Sequence, residues 1–371
     1  MENSKKHSQK NYQKMKVGIL TFHRVHNYGA LLQAYALQTI LEIMGHEVSF
    51  VDYELPEMLG VYKWYHGSRS IINKSFFTIG LKNAYKLLRN KRRFDCFNRF
   101  IRTYLNESEL GIDNLDEQYD IIVVGSDQVF NIGITGGTNN AYWGVLPSFS
   151  KKIISYAAST ELFKVTEEHK IQIPMCLERF SKLSVREDFV ADFFRQFTDN
   201  DIIVSLDPTL LLNQEVWNKI VVKPKIRKKY LFYYYVRSSD ISLDFAKRIA
   251  KEKNLDLVII GSYNSRYSSP KAFCSGPKEF LGWIKYADYV ISSSFHCTVF
   301  SLIFNKQFSA LSLQDGKDGR ISALLKNVEL ENRIVTPSEE AVVGVINWNA
   351  VNKKIEKLSK VSLDYLKENI S

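Results

Sequence analysis

The sequence predicts an α/β protein built from two open parallel-sheet domains facing a cleft, and three observations lead there. Val17–Phe22, a helix-forming run and Val48–Tyr53 make a strand, helix, strand unit, which closes as parallel strands with a right-handed crossover. Short apolar strands then recur along the chain. Each delivers a polar cluster at its carboxyl end, where ligands gather in open parallel sheets. A basic, Pro224-containing linker around Val221–Lys229 is followed by a second series of alternating strands and helices.

Composition narrows the function classes. The chain has 371 residues, 45% of them hydrophobic and 24% charged, which is globular and long enough for two cores. Its 20 Tyr and 23 Phe suit clefts for sugars, although aromatics also simply fill cores. With 50 basic and 40 acidic residues the net charge is +10, which favours an anionic partner. The candidates are a phosphorylated substrate, an anionic lipid surface and a nucleic acid. No zinc-finger spacing, RNA-binding aromatic pattern or helix-turn-helix signature supports nucleic acid, and it is set aside. Cys96, Cys176, Cys274 and Cys297 are scattered and form no CxxC pair, which fits a reducing compartment and no metal site. The polar N-terminus lacks a signal-peptide core, and no apolar run reaches membrane-spanning length. A cytoplasmic, soluble protein is expected.

Taken in order, Met1–Lys14 reads as a disordered tail. The first strand ends in His23–Gly29, and a helix runs from about Ala30 to Met44 with Gly45 as its stop. Leu31, Leu32, Tyr35, Leu37, Ile40 and Leu41 give it a broad apolar face. At its start, Gly29 either lets a ligand approach the backbone or merely turns the chain behind an Asn27 cap. Lys74–Arg102 is basic, aromatic and helical. It reads as a helix lying on an anionic membrane or, the favoured reading, as one whose inner face packs on the domain. Strand Tyr119–Val124 delivers Gly125-Ser126-Asp127-Gln128, where Asp127 either handles a sugar hydroxyl or caps a turn. Ile153–Ser159 repeats the strand-to-serine theme. Leu183–Asp188 ends in Arg186, either a fork for a carboxylate or phosphate or an ion-pair partner of Glu187 or Asp188. Val204–Thr209 is one more strand ending in a turn.

The second half brings strands Tyr230–Val236 and Leu257–Ile260, a helix near Leu243–Lys253 and another through Lys285. The polar loop Gln314–Arg320 and a helix from Ile321 come later, and Asn349–Asn369 is a terminal helix. The expected domains are 15–222 and 223–345, with 346–371 packing back on the first half. No Walker loop, dinucleotide fingerprint or internal repeat is visible.

The densest chemistry lies in Tyr286–Thr298. Strand Tyr289–Ile291 runs into Ser292-Ser293-Ser294-Phe295-His296, and a helix is expected over Thr298–Phe304. Three hydroxyls, an imidazole and a positive helix end therefore meet beyond a strand. Alone, the serines read equally as a helix cap and the histidine as a core residue.

Together the pieces resemble the polysaccharide pyruvyl transferase family. The resemblance rests on Asn27-Tyr28-Gly29-Ala30 with Leu32–Leu37, on Gly125–Gln128 and on Ser155–Ser159. It continues with Ser184–Glu187, Asp207–Leu211 and Ser293–His296, ending at Arg320. These fall in the expected order from Met15 to Asn332. The resemblance implies a glycosyltransferase-B-like pair of Rossmann-like domains. It implies transfer of a carboxyethylidene group from phosphoenolpyruvate to two hydroxyls of a sugar, carried on a lipid or a nucleotide, for the cell envelope. His296 would be the general acid and Arg186, Arg320, Ser294 and Phe295 the donor site. Asp127, Ser126, Asn27 and Gly29 would face the sugar. Phosphoenolpyruvate is then a substrate, and no cofactor or metal is implied. Contact with the inner face of the plasma membrane would follow from the basic helix.

One position departs from the family pattern: Cys297 stands where Gly is usual, and strain or obstruction is expected there if that Gly has positive φ. Two further readings remain, a nucleotide-sugar glycosyltransferase of the same architecture and a non-catalytic family member.

Overall fold

The computed structural model describes residues 13–53, 81–108, 111–236, 240–261, 268–270, 272–338 and 344–370, with side chains from Leu88 onward in the helix that begins at Leu81. Most of the expected tail and all of residues 54–80 lie outside the described residues.

Among the described residues two parallel sheets form. The first has the order β2-β1-β3-β4-β5-β6, from β1 (Lys16–Leu20), β2 (Glu47–Phe50), β3 (Ile121–Asp127), β4 (Lys152–Ala158), β5 (Leu183–Val185) and β6 (Ile202–Val204). Val17 is in register with both Val48 and Ile121, so β1 is flanked on both sides. The second has the order β11-β10-β9-β7-β8, from β7 (Tyr230–Tyr234), β8 (Asp256–Ile260), β9 (Tyr289–Ser292), β10 (Phe308–Leu311) and β11 (Ile334–Val335). Strand order reverses between β1 and β3 in one sheet and between β7 and β9 in the other. Each reversal opens a crevice at the strands' carboxyl ends, the place where open sheets bind ligands.

Helix α1 (Tyr28–Ile43) joins the two halves. Ala, Leu and Gln favour the helix, the Asn27 side chain caps it, and Gly45 at φ +97° ends it. It is buried nearly all round, the mark of a helix enclosed on both sides. One side covers β1 and the other meets the second domain, where Tyr28 stacks on Phe280 with ring centroids 4.3 Å apart and donates its hydroxyl to the Ser275 carbonyl at 2.8 Å. One hydrophobic core therefore runs from Val17 and Leu31 to Val290 and Leu302 without a break.

Helix α2 (Leu81–Tyr104), the basic segment, is a strut between the halves. Phe97, Phe100 and Ile101 pack inward. Arg93 donates to the Gly261 carbonyl at 2.8 Å, and the Arg89 guanidinium lies 3.5 Å from the centroid of the Phe273 ring. Lys91, Arg92, Arg99 and Arg102 remain exposed. The start of the basic segment, 74–80, and the side chains of Lys82 and Lys86 lie outside the described residues. No helix among the described residues is long and apolar enough to cross a membrane.

The flanking helices relevant below are α3 (Glu167–Leu177), α4 (Asp188–Phe194), α5 (Asp240–Glu252), α6 (Pro277–Lys285), α7 (Phe295–Ile303), α8 (Gly319–Asn327) and α9 (Trp348–Asn369). The last returns to the first sheet, where Tyr365 donates to the Ser155 carbonyl at 2.8 Å and Ser362 accepts from the Leu206 amide at 2.9 Å. Two expected boundaries move. The strand expected over Val204–Thr209 lies earlier, at Ile202–Val204, and Asp207 and Pro208 instead open a 3-10 helix, Pro208–Leu211, because proline cannot donate to a sheet. Helix α7 starts at Phe295 rather than Thr298, because Ser294 caps it: its Oγ accepts from the Cys297 amide at 3.5 Å.

Candidate active site

The two crevices face each other across a cavity of about 340 Å³. The first domain contributes Phe22, Val25, Asn27 and Ala30 after β1, Asp127 and Gln128 at the end of β3, and Glu161 after β4. The second contributes Val236 after β7, Ser293 and Ser294 between β9 and α7, Phe295 and His296 in the first turn of α7, and Lys317 and Arg320 around the start of α8. The walls differ in charge, with carboxylates and amides on one side and cations with a helix N-terminus on the other.

Asp127 is held at φ +79°, in the left-handed region that non-glycine residues rarely adopt. Its main-chain carbonyl accepts from Val129 and Ser159, both at 2.8 Å, and these bonds fix the turn that aims the side chain at the cavity. One carboxylate oxygen accepts from the Gln128 amide at 2.8 Å. With its carboxamide oxygen turned to the opposite wall, Gln128 accepts from Arg320 Nη2 at 2.9 Å and Nη1 at 3.0 Å, a bridge across the cleft. Burial, and then the nearby Arg186 charge, lower the pKa of Arg320, so this guanidinium favours an anionic ligand.

His296 reaches across the domain boundary. Its Nε2 lies 3.4 Å from Asp207 Oδ2, and the same oxygen accepts from Arg186 Nη1 at 2.7 Å. Asp207 Oδ1 accepts from the Thr209 amide at 3.1 Å and hydroxyl at 2.6 Å. Burial alone would raise the Asp207 pKa, but the opposing positive charges and hydrogen bonds hold it well below the ordinary carboxylate range. Arg186 also donates to Glu187 at 2.9 Å, and its guanidinium carbon sits 4.4 Å from the centroid of the Phe295 ring. Burial would lower its pKa, but Glu187 and Asp207 raise it, so it stays charged.

Of the residues expected from sequence, Asn27, Asp127, Ser294, Phe295, His296 and Arg320 line the cavity. The remaining three are placed otherwise. Gly29 neither turns the chain nor meets the cavity directly: it sits in the first turn of α1, and a Cβ there would fall 2.0 Å from His296 Nδ1. Its bare backbone admits the imidazole. Ser126 is fully buried and donates its hydroxyl to the Ala157 carbonyl at 3.0 Å, so it does not face a substrate. Arg186 is not a free fork. It lies behind Phe295, bound to Glu187 and Asp207, with only Nη2 left without a partner.

At Cys297 the condition for strain is not met. The residue lies inside α7, fully buried, outside the cavity lining and without positive φ, so no strain or obstruction arises there. Burial pushes its thiol pKa up to about 12, which makes it inert as a nucleophile.

Sequence reasoning missed Asp207 as the partner of His296, and Lys317, Gln128 and Glu161 as wall residues. Asp207 stood in an apparent strand end, and its pairing across domains had no local signal. Ser293 was legible: its buried hydroxyl has no partner and it lies in the same serine run.

The family model described as polysaccharide pyruvyl transferase matches residues 27–315. No curated protein sequence matches the chain. Similar solved structures include a putative UDP-N-acetylglucosamine 2-epimerase from Listeria monocytogenes, at 12% identity over 96% of this chain and 91% of that one, with a TM-score of 0.48. The UDP-GlcNAc 2-epimerase of Methanocaldococcus jannaschii is 12% identical over 92% of each chain, at 0.46. The glycosyltransferase SnogD of Streptomyces nogalater is 8% identical over 94% and 95%, at 0.38.

Proposed function

The chain belongs to the polysaccharide pyruvyl transferase family, and on that premise we propose that it forms a ketal by moving a carboxyethylidene group from phosphoenolpyruvate to two hydroxyls of a sugar. The observation that carries this reading is the charge division of the cavity. Lys317, Arg320 and the N-terminus of α7 make one wall, suited to a donor with a phosphate and a carboxylate. Asp127, Gln128, Glu161 and Asn27 make the other, suited to hydroxyls.

The chemistry follows from that placement. His296 gives a proton to the methylene carbon of the donor, and the adjacent carbon becomes electrophilic. One sugar hydroxyl adds there, the carbon–oxygen bond to phosphate breaks, and the second hydroxyl closes the ring. Two hydroxyl protons are released: one restores His296 and one leaves with phosphate. Asp127 orients the acceptor and relays one of these hydroxyl protons to the departing phosphate. Arg320 and Lys317 hold the phosphate as its charge develops. The acceptor, carried on a lipid or a nucleotide, enters over the Asp127 wall, and phosphoenolpyruvate is consumed as substrate with no cofactor.

The test is incubation with phosphoenolpyruvate and a panel of nucleotide- and lipid-linked sugars, followed by phosphorus and proton NMR. Loss of the phosphoenolpyruvate signal, equimolar inorganic phosphate and a new ketal methyl singlet are expected. Transfer of sugar from a nucleotide with phosphoenolpyruvate untouched would overturn the proposal.

A further inference from the structure

We propose that Asp207 is the positioning residue for His296, fixing the proton on Nε2 so that Nδ1 alone exchanges protons with a molecule in the cavity; this rests on reading His296 as the proton donor. The two ring nitrogens have different surroundings. Nε2 is buried and faces Asp207 Oδ2 at 3.4 Å, close enough to pair but not yet aligned, as is common before a ligand closes a site. Nδ1 is the nitrogen of this cavity-lining histidine that does not face Asp207; it lies beside Gly29, whose lack of a Cβ leaves room for the ring.

Asp207 is itself immobilised on both oxygens. Thr209 holds Oδ1 through its amide and hydroxyl, and Arg186 holds Oδ2. Arg186 is in turn fixed by Glu187 and by Phe295, the residue before His296. The other charges around this centre, Asp127, Arg320, Lys317 and Glu161, belong to the cavity walls, and the carboxylate of Asp207 is the one placed against Nε2 of the ring. A histidine that has given up its Nδ1 proton keeps the Nε2 proton toward Asp207, and a proton from a sugar hydroxyl restores it at Nδ1. The docking of the two halves brings this pair together, because Asp207 comes from the first domain and His296 from the second.

The test reads the tautomer and needs no substrate. Nitrogen-15 chemical shifts of the His296 ring, assigned with His296→Gln, are measured above pH 8 in the wild type and in Asp207→Asn. The wild type is expected to carry its proton on Nε2. In Asp207→Asn the amide cannot accept from both Thr209 and Arg186, so an NH₂ group faces one of them or the ring, and the Nε2 preference is expected to be lost. A wild-type ring protonated on Nδ1 overturns the proposal, whether or not the variant folds. A folded Asp207→Asn with unchanged shifts overturns it too. Turnover is a separate readout: kcat is expected to fall about 100-fold with KM for phosphoenolpyruvate within about threefold. If the wild type ignores phosphoenolpyruvate but shows the Nε2 proton, the positioning stands and only the donor assignment fails.

Discussion

Gly29 shows how one missing methyl group determines a site. Its helical φ is ordinary, so the glycine is not required for backbone conformation; the requirement is the imidazole packed where a side chain would be. Gly29→Ala is expected to keep α1, since Ala is the better helix former, yet to push the His296 ring away from Asp207. Activity should fall about 100-fold, as displacements near 1 Å can do. The check is turnover measured beside far-ultraviolet circular dichroism. An active, folded Gly29→Ala would mean that the ring position is unimportant. From sequence, the glycine's significance was visible but not its reason, because the contact joins residues 29 and 296. Ser126 misled for a related reason: a serine at a strand's end looks the same whether its hydroxyl faces solvent or, as here, a buried carbonyl.

At the scale of elements, α1 and α2 hold the cleft at its width. Sequence pattern gave α1 a broad apolar face, and its two-sided burial explains why nearly every position is apolar or small. For α2 the same pattern allowed a membrane surface or a packed face. Arg89 and Arg93 decide the issue for the inner face, since both lie against the second domain. Arg93→Ala removes a buried charged hydrogen bond and its contact with Tyr28, whose ring centroid is 5.2 Å away, and is expected to cost about 2–3 kcal/mol. Arg92→Ala, on the exposed face, is expected to change stability by less than about 0.5 kcal/mol. Urea unfolding of the two variants checks the contrast, and equal losses would deny α2 its role as a strut.

For the whole molecule, the decisive feature is that two sheets point their order reversals at one cavity. The sequence carried most of this: apart from Val204–Thr209, which shares only Val204 with β6, the β-strands proposed from apolar runs are present, and the polar clusters after β1, β3 and β9 meet in space. Strand composition is local, so it is legible. The pairing of Asp207 with His296, and the way Gln128 meets Arg320 across the cleft, depend on how the halves dock, which no single window encodes. The docking gives the cavity one anion-seeking wall, and that wall is the account's central claim. Calorimetric titration of phosphoenolpyruvate into the wild type and into Arg320→Gln tests it most directly. One-site binding in the wild type, weakened at least about tenfold in the variant and competed by inorganic phosphate, is the predicted result. No binding to the wild type at millimolar phosphoenolpyruvate, or equal binding to both proteins, would contradict it.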